Sequence, residues 1–308
     1  MTDLLTDLRA ACELVAERST HVRIEHERIP GYVGMLPIDV PVSGPDPEAH
    51  LTEAPREELA AYWLTLDAIN FGSGWFPTLR KPGGRSGYFT IATALTERFT
   101  THGSWSAARL ADIDAVEIAG TLRQDPDHEL MVLFAAGLND LGRHVGDEHD
   151  GRFADVVDAA GSSAVTLVQT LSGWESFADT SYYDGIEIPF LKRAQIAAAD
   201  LSRAGVAAFR DLDRLTMFAD NLVPHVLRLD GLLNYDDGLL ERIDRGELIE
   251  HDSPEEVEIR ACAVHTVARI AAERAGAREA DVDSLLWHRG REARYKAVPR
   301  HRSRCTAY

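Results

Sequence analysis

Residues 253–271 read Ser-Pro-Glu-Glu-Val-Glu-Ile-Arg-Ala-Cys-Ala-Val-His-Thr-Val-Ala-Arg-Ile-Ala. Ser253 supplies an N-cap, Pro254 takes the first helical position where its missing N–H costs nothing, and Glu256 completes a capping box. Behind that start Val257, Ala261, Val264, Ala268 and Ala271 recur at helical spacing. They are small or branched, so neighbours can approach closely, and the helix belongs at the centre of a helical domain. Glu258 and Arg260, near its start, read as a partly buried ion pair.

The same period extends outward on both sides. Leu4, Leu8, Ala11, Leu14 and Val15 mark a first amphipathic helix, and Leu59, Tyr62, Trp63, Leu66 and Ile69 another. Further helices are expected over 90–101, 104–119, 127–141, 153–171, 189–200 and 280–287, and one with Pro224 just inside its start and Gly231 at its end. Only 22–41 alternates in the manner of strands, broken by Pro30, Gly31, Gly34 and Pro37; 42–55 is a Pro/Gly/Asp-rich connection. With no repeat and too few strand signals for a nucleotide-binding sheet, the expectation is an all-α or nearly all-α fold. It is a single multi-helix domain over 1–308, with a small strand region near the N-terminus.

Composition narrows function. The 308 residues are 45% hydrophobic, enough for a large core, and carry a net charge of −18. So acidic a surface repels a polyanion and argues against a nucleic acid polymer as partner, while a few Arg or Lys side chains can still hold one phosphate. Cys12, Cys262 and Cys305 are widely separated and read as free thiols of a reducing compartment. The N-terminus lacks a basic and an apolar signal region, and no apolar run approaches the roughly 18 residues that span a bilayer. A cytoplasmic protein with no membrane partner is expected. The polar loop Asp147 to Asp150, with His144 and His149, lacks metal-ligand spacing, and no metal is expected there. Phosphate loops, dinucleotide loops and nucleophile elbows are absent.

What remains is carboxylate and lysine chemistry between Trp174 and Asp220: Phe177-Ala178-Asp179, then Pro189-Phe190-Leu191-Lys192-Arg193-Ala194-Gln195, then Phe218-Ala219-Asp220-Asn221. A carboxylate among apolar residues is costly to bury unless paired or used. Asp220 falls at a break between helices, where unpaired backbone N–H groups hold a carboxylate in one rotamer. Lys192 lies about 100° from its helix's apolar stripe, within reach of a cleft. Asp179, Asp220 and Asp283 with Lys192 suit a reaction through a cationic, oxocarbenium-like transition state; a purely structural ion pair is the alternative. The loop Asn70-Phe71-Gly72-Ser73-Gly74-Trp75-Phe76-Pro77 reads equally as the wall of a planar-ligand pocket or as a core plug.

These elements, together with Thr216-Met217-Phe218-Ala219-Asp220, Pro224, Glu256 to Arg260, Asp283-x-x-Leu286-Trp287 and His301-Arg302-x-Arg304-Cys305-x-x-Tyr308, resemble the queuosine salvage family, the queuosine 5′-phosphate N-glycosylases. The resemblance runs from about Ser162 to the end, with Asn70-Phe71 as an upstream anchor. It implies a helical architecture similar to the helical DNA glycosylases without their duplex-binding surface. It also implies hydrolysis of the N-glycosidic bond of queuosine 5′-monophosphate with release of queuine, and no metal or redox cofactor. Asp220 becomes the catalytic carboxylate, stabilising an oxocarbenium ion or attacking C1′, with Lys192 paired to it. Phe177, Asp179 and Asp283 become base-pocket residues, the ring stacking on the deazapurine and the carboxylates accepting its N–H groups. Asn70 is the upstream substrate contact, and Arg302, Arg304 and Lys81 are candidates for the phosphate. The chain departs from the family pattern Asp-Tyr-x-Leu-Trp-Asp at Ser284 and His288, and has Asn221 and His225 where Tyr and Gln are usual. A carboxylate that receives a cationic amine is thereby replaced by His288, so the departure falls on base recognition; an N-glycosidase for a different base, a simpler deazapurine or an unrelated one, and a non-catalytic nucleotide-binding homologue are the alternatives.

Overall fold

The computed structural model describes residues 3–37 and 44–308. Among them are fifteen α-helices and four short strands, so the fold is mostly helical as expected. At its centre runs the helix Pro254–Ala272, capped by Ser253, whose side chain accepts from the Glu256 N–H. Thirteen of its nineteen residues are buried, polar ones included. Leu4–Arg18, Glu279–Arg289 and Leu222–Leu229 pack around it. Leu5, Leu8, Ala11, Cys12 and Val15 face inward from the first of these.

Glu258 and Arg260 do not pair with one another. Two residues apart on a helix, they point about 200° apart. Glu258 accepts from the backbone N–H groups of Thr20 (3.0 Å), His21 (2.6 Å) and Val22 (2.9 Å) and from the Tyr183 hydroxyl (2.8 Å). It thereby fastens the strand Val22–Ile24 to the central helix. That strand pairs antiparallel with Leu233–Tyr235, Val22 opposite Tyr235. Beyond it the chain turns into the short helix Ile29–Val33 rather than a second strand. Residues 38–41 of the expected strand region and 42–43 of the connection lie outside the described residues.

A second antiparallel pair, Thr180–Tyr183 with Ile186–Pro189, forms a hairpin around Asp184 and Gly185. It moves the expected helix start at Pro189 to Lys192. Two other expected helices are split. The stretch 153–171 becomes Phe153–Ala159 and Ala164–Ser172, because Gly161 takes a left-handed φ of +62° and Ser163 caps the second piece. The stretch 104–119 becomes Ala107–Ala111 and Ala115–Leu122, the second capped by Asp114. The helix begun at 127 instead runs on through Glu129–Glu148, so His144 sits on a helix and bonds Glu148 four residues along. The remaining helices near the site are Arg56–Ala68 and Gly87–His102. The three cysteines are free and buried. No helix among the described residues is long and apolar enough to cross a membrane.

Candidate active site

The hairpin places the lysine. Its base is closed by the Leu191 N–H donating to the Asp179 carbonyl (3.1 Å) and the Lys192 N–H donating to the Asp179 carboxylate (2.9 Å). This closure holds Leu191 at a left-handed φ of +50°, a conformation that costs an L residue about 1–2 kcal/mol. The helix Lys192–Arg203 therefore starts with its first two side chains aimed back at the end of Arg56–Ala68. Lys192 Nζ donates to the Asn70 carbonyl (2.7 Å) and lies 3.3 Å from Asn70 Oδ1. Arg193 donates to the carbonyls of Ala68 (2.7 Å) and Ser176 and lies over Phe71 and Phe177.

Arg260 holds the other side. It reaches Asp179 in contacts of 2.7 and 2.9 Å, with neither side chain exposed. Its Nε donates to the Ala219 carbonyl at 3.0 Å, and Glu256 lies 3.7 Å away. The guanidinium is sandwiched by Phe190 at 3.9 Å and Tyr308 at 4.7 Å. One buried arginine thus fixes the residue before Asp220 and, through Asp179, the first residue of the lysine helix.

Asp220 is half-buried. Its Oδ1 accepts from the N–H groups of Leu222 (2.8 Å) and Val223 (3.1 Å) at the start of Leu222–Leu229, the capping position expected from the helix break. Burial lowers the Lys192 ammonium to about 8, with the charge of Asp220 opposing the loss of its proton. Asp283, on Glu279–Arg289, is 5% exposed and accepts from the Phe218 N–H at 3.1 Å. Burial, and then the nearby Asp220 charge, hold it well above the usual carboxylate range. The constellation is thus Asp220 served by two N–H groups, a lysine held down to about 8 and an Asp283 carboxyl pushed up by burial. A carboxyl raised in this way beside another is suited to act as an acid.

Behind Lys192 lies Asp67, a fully buried carboxyl with no hydrogen-bond partner on either oxygen. Burial and the neighbouring Asp200 raise it well above its usual range, against the attraction of Lys192. Asp200 is itself raised by burial, opposed by Arg203, 3.1 Å away, and by His50. Five carboxyls, Asp67, Asp179, Asp200, Asp220 and Asp283, therefore lie around one lysine.

The structure brings Lys192, Asn70, Asp179, Asp220 and Asp283 together. Asp179 meets them as an anchor, both oxygens taken by Arg260 and the Lys192 N–H. The Phe177 ring is fully buried beneath Arg193 and presents no open face. His288 is exposed, its Nδ1 bonded to the Ser284 carbonyl at 2.7 Å, about 140° around the helix from Asp283. Phe71 and Trp75 are core plugs rather than a ligand wall. Of the basic candidates, Arg302 donates to the Gly246 carbonyl and Arg304 pairs with Glu129 at 3.3 Å. His251, Asp252 and Glu256 bring ligand-type atoms within 4.8 Å of one another. Burial lowers His251, but the neighbouring Cys305 and Glu256, the latter 3.5 Å away, outweigh it and raise the imidazole to about 10. A cationic imidazole beside the Arg260 guanidinium serves as counter-charge to Glu256 and disfavours a metal cation. Sequence reading missed Arg260 as the hub and Asp67 altogether; a lone carboxylate inside the apolar run 59–69 was the available signal.

A model of the queuosine salvage protein family matches residues 49–308, more of the chain than the motifs from Ser162 onward. The chain is 38% identical to the queuosine 5′-phosphate N-glycosylase/hydrolase of Sphaerobacter thermophilus, over 85% of this chain and 84% of that protein. It is 30% identical to the protein of the same description from Mus musculus, over 97% and 98% of the two chains. With that of Bos taurus it shares 29% identity over the full length of each.

Proposed function

The chain belongs to the queuosine salvage protein family, and we propose that it hydrolyses the N-glycosidic bond of queuosine 5′-monophosphate, releasing queuine. The observation that supports this most is the juxtaposition of Asp220, fixed by two backbone N–H groups, with the buried Lys192 and the buried Asp283 carboxyl.

In this reading the bond between C1′ and the base nitrogen breaks with its electron pair leaving on the base. The sugar ring acquires oxocarbenium character, and the Asp220 carboxylate faces that positive charge in a site poor in water. Asp283, whose carboxyl burial and the Asp220 charge hold well above the usual carboxylate range, donates a hydrogen bond or its proton to the departing base. A 7-deazapurine has no N7 to protonate, so this help falls elsewhere on the ring. Water adds to C1′ and its proton restores Asp283, or passes to the base where Asp283 only donated a hydrogen bond, yielding ribose 5-phosphate. Lys192 sets its positive charge toward Asp220, and its bond to the Asn70 carbonyl fixes its head. Asp179 and Arg260 act as positioning residues, as does Phe177 by supporting Arg193. The substrate's contacts are assigned to Asp283, Asn70 and, at the rim, His288. The residues present need no metal or redox group for this chemistry.

A related base is the second reading, favoured by the exposed His288 and by Ser284. The test is a panel of 5′-mononucleotides with free base followed by chromatography. Release of queuine is expected. Release from another deazapurine nucleotide alone shifts the assignment to the second reading, and binding without release of any base overturns hydrolysis.

A further inference from the structure

Residues 299–308 form neither helix nor strand, but every second one from His301 to Ala307 is buried, the alternation of an extended chain laid in a groove. The segment is sewn down through its own main-chain oxygens. That of Pro299 accepts from Arg228 (2.9 Å) and that of His301 from the Asn221 side chain (3.2 Å), both donors belonging to the helix Leu222–Leu229 and its cap. Further along, Arg302 accepts from the Ile249 N–H (2.9 Å) and Tyr308 from the Gly72 N–H (3.0 Å). A Cβ on Gly74 would overlap the Ser303 carbonyl, so the segment is pressed against the loop that follows Asn70.

Its attachments meet both halves of the site. Asn221 follows Asp220 in sequence and is itself buried. Gly72 lies two residues beyond Asn70, whose carbonyl holds the Lys192 ammonium at 2.7 Å. The bonds of Lys192 go to Asn70 and those of Asp220 to Leu222 and Val223, so the separation of the two charges is set by the scaffold on each side. Arg260 is one bridge across that gap, from Asp179 to the Ala219 carbonyl. The segment 299–308 is a second bridge, and its Tyr308 ring, 4.7 Å from the Arg260 guanidinium, backs the first.

We propose that residues 299–308 are a positioning element of the reaction, a strap from Asn221 to Gly72 that sets the distance between Asp220 and Lys192. This rests on the reading of Asp220 as the group facing C1′. An anchor that only added stability would need no particular points of attachment. This one is fastened one residue from the carboxylate and two residues from the acceptor of the lysine. A displacement of the strap is therefore passed to both charges, and a misplacement of about 1 Å costs up to about 100-fold in rate.

The test uses the full chain and its nucleotide substrate, with kcat and KM measured well below the thermal midpoint of each variant. Gly74→Ala pushes the strap off the loop without altering a group that meets the substrate. Its kcat is expected to fall about 10- to 100-fold with KM within about threefold of the parent. Asn221→Leu removes the donor to the His301 carbonyl and should lower kcat about 5-fold in the same manner. Tyr308→Ala should lose activity, and Tyr308→Phe, which keeps the ring over Arg260, should recover most of it. Parent kcat in both Gly74→Ala and Asn221→Leu, even with a lowered midpoint, overturns the proposal and leaves the segment a structural anchor; so does a change confined to KM. If Gly74→Ala does not fold, Asn221→Leu and the Tyr308 pair decide on the same readouts. Failure of the Asp220 reading shows separately, as near-normal turnover by Asp220→Asn, whatever the strap variants do.

Discussion

Two groups of buried charges meet at Lys192, and they are built oppositely. On one side Asp179, Arg260 and Glu256 form a network in which Asp179 has both oxygens taken, and the arginine lies between two rings. On the other, Asp67 has no hydrogen-bond partner, Asp283 has one backbone donor, and Lys192 has lost part of its affinity for a proton. Both groups cost desolvation energy; the first recovers more of it within the protein, through Asp179, although Arg260 Nη1 and Glu256 Oε1, 3.7 Å apart, make no hydrogen bond. A saturated ion pair is scaffolding; an unsaturated cluster of perturbed groups is where a ligand supplies the missing partners.

That contrast is open to direct attack. Cutting the saturated side should do most harm to the fold: Arg260→Ala strands Asp179 and Glu256 without their partner and should cost about 3–5 kcal/mol in urea unfolding. A loss under 1 kcal/mol would mean that the network is not what holds the site together. On the unsaturated side the effect moves to catalysis. Asp220→Asn keeps an oxygen for the Leu222 and Val223 N–H groups, so the thermal midpoint should hardly move while kcat falls about 10²- to 10³-fold. Near-normal turnover would remove Asp220 from its role.

Lys192→Met should lose activity and gain stability. The lysine falls from 10.5 unfolded to about 8 folded, so between those values the unfolded chain binds the extra proton and stability rises with pH. Below pH 8 both states are charged and the full penalty of burial, at most about 3 kcal/mol, is present. Denaturation at pH 7 and pH 10 should show the parent gaining stability across that window from this group and the variant lacking the gain. Turnover by the parent should decline as pH rises through about 8, where the ammonium is lost.

The helical class was legible because hydrophobic period and capping are local properties. The Ser253 start and the Asp220 break needed only neighbours in sequence. The hairpin at 180–189 was less visible, since its four-residue strands resemble the end of a loop, and it displaced the helix start by three residues from Pro189 to Lys192. Gly161 and Ser163 could have split the helix over 153–171, but the apolar stripe continued through both. In the site, Asp220, Lys192 and Asp283 stood out as charges in apolar company, whereas the partner of each charge is chosen by packing. Nothing near Lys192 in sequence points to the carbonyl of Asn70, and nothing near Arg260 points to Asp179. Resemblance supplied Asp179 as a base contact; only three dimensions show that its valence is spent on Arg260.

Arg260 also bears on how the molecule comes into being. Its two principal bonds close loops of 41 and 81 residues, to Ala219 and Asp179, and neither partner is placed until the other ends have arrived. Long loops of this kind close late, after local helices have formed. The Asp220 rotamer is set by its own neighbours Leu222 and Val223, whereas the contacts that bring Ala219 and Asp179 together wait for the central helix to dock.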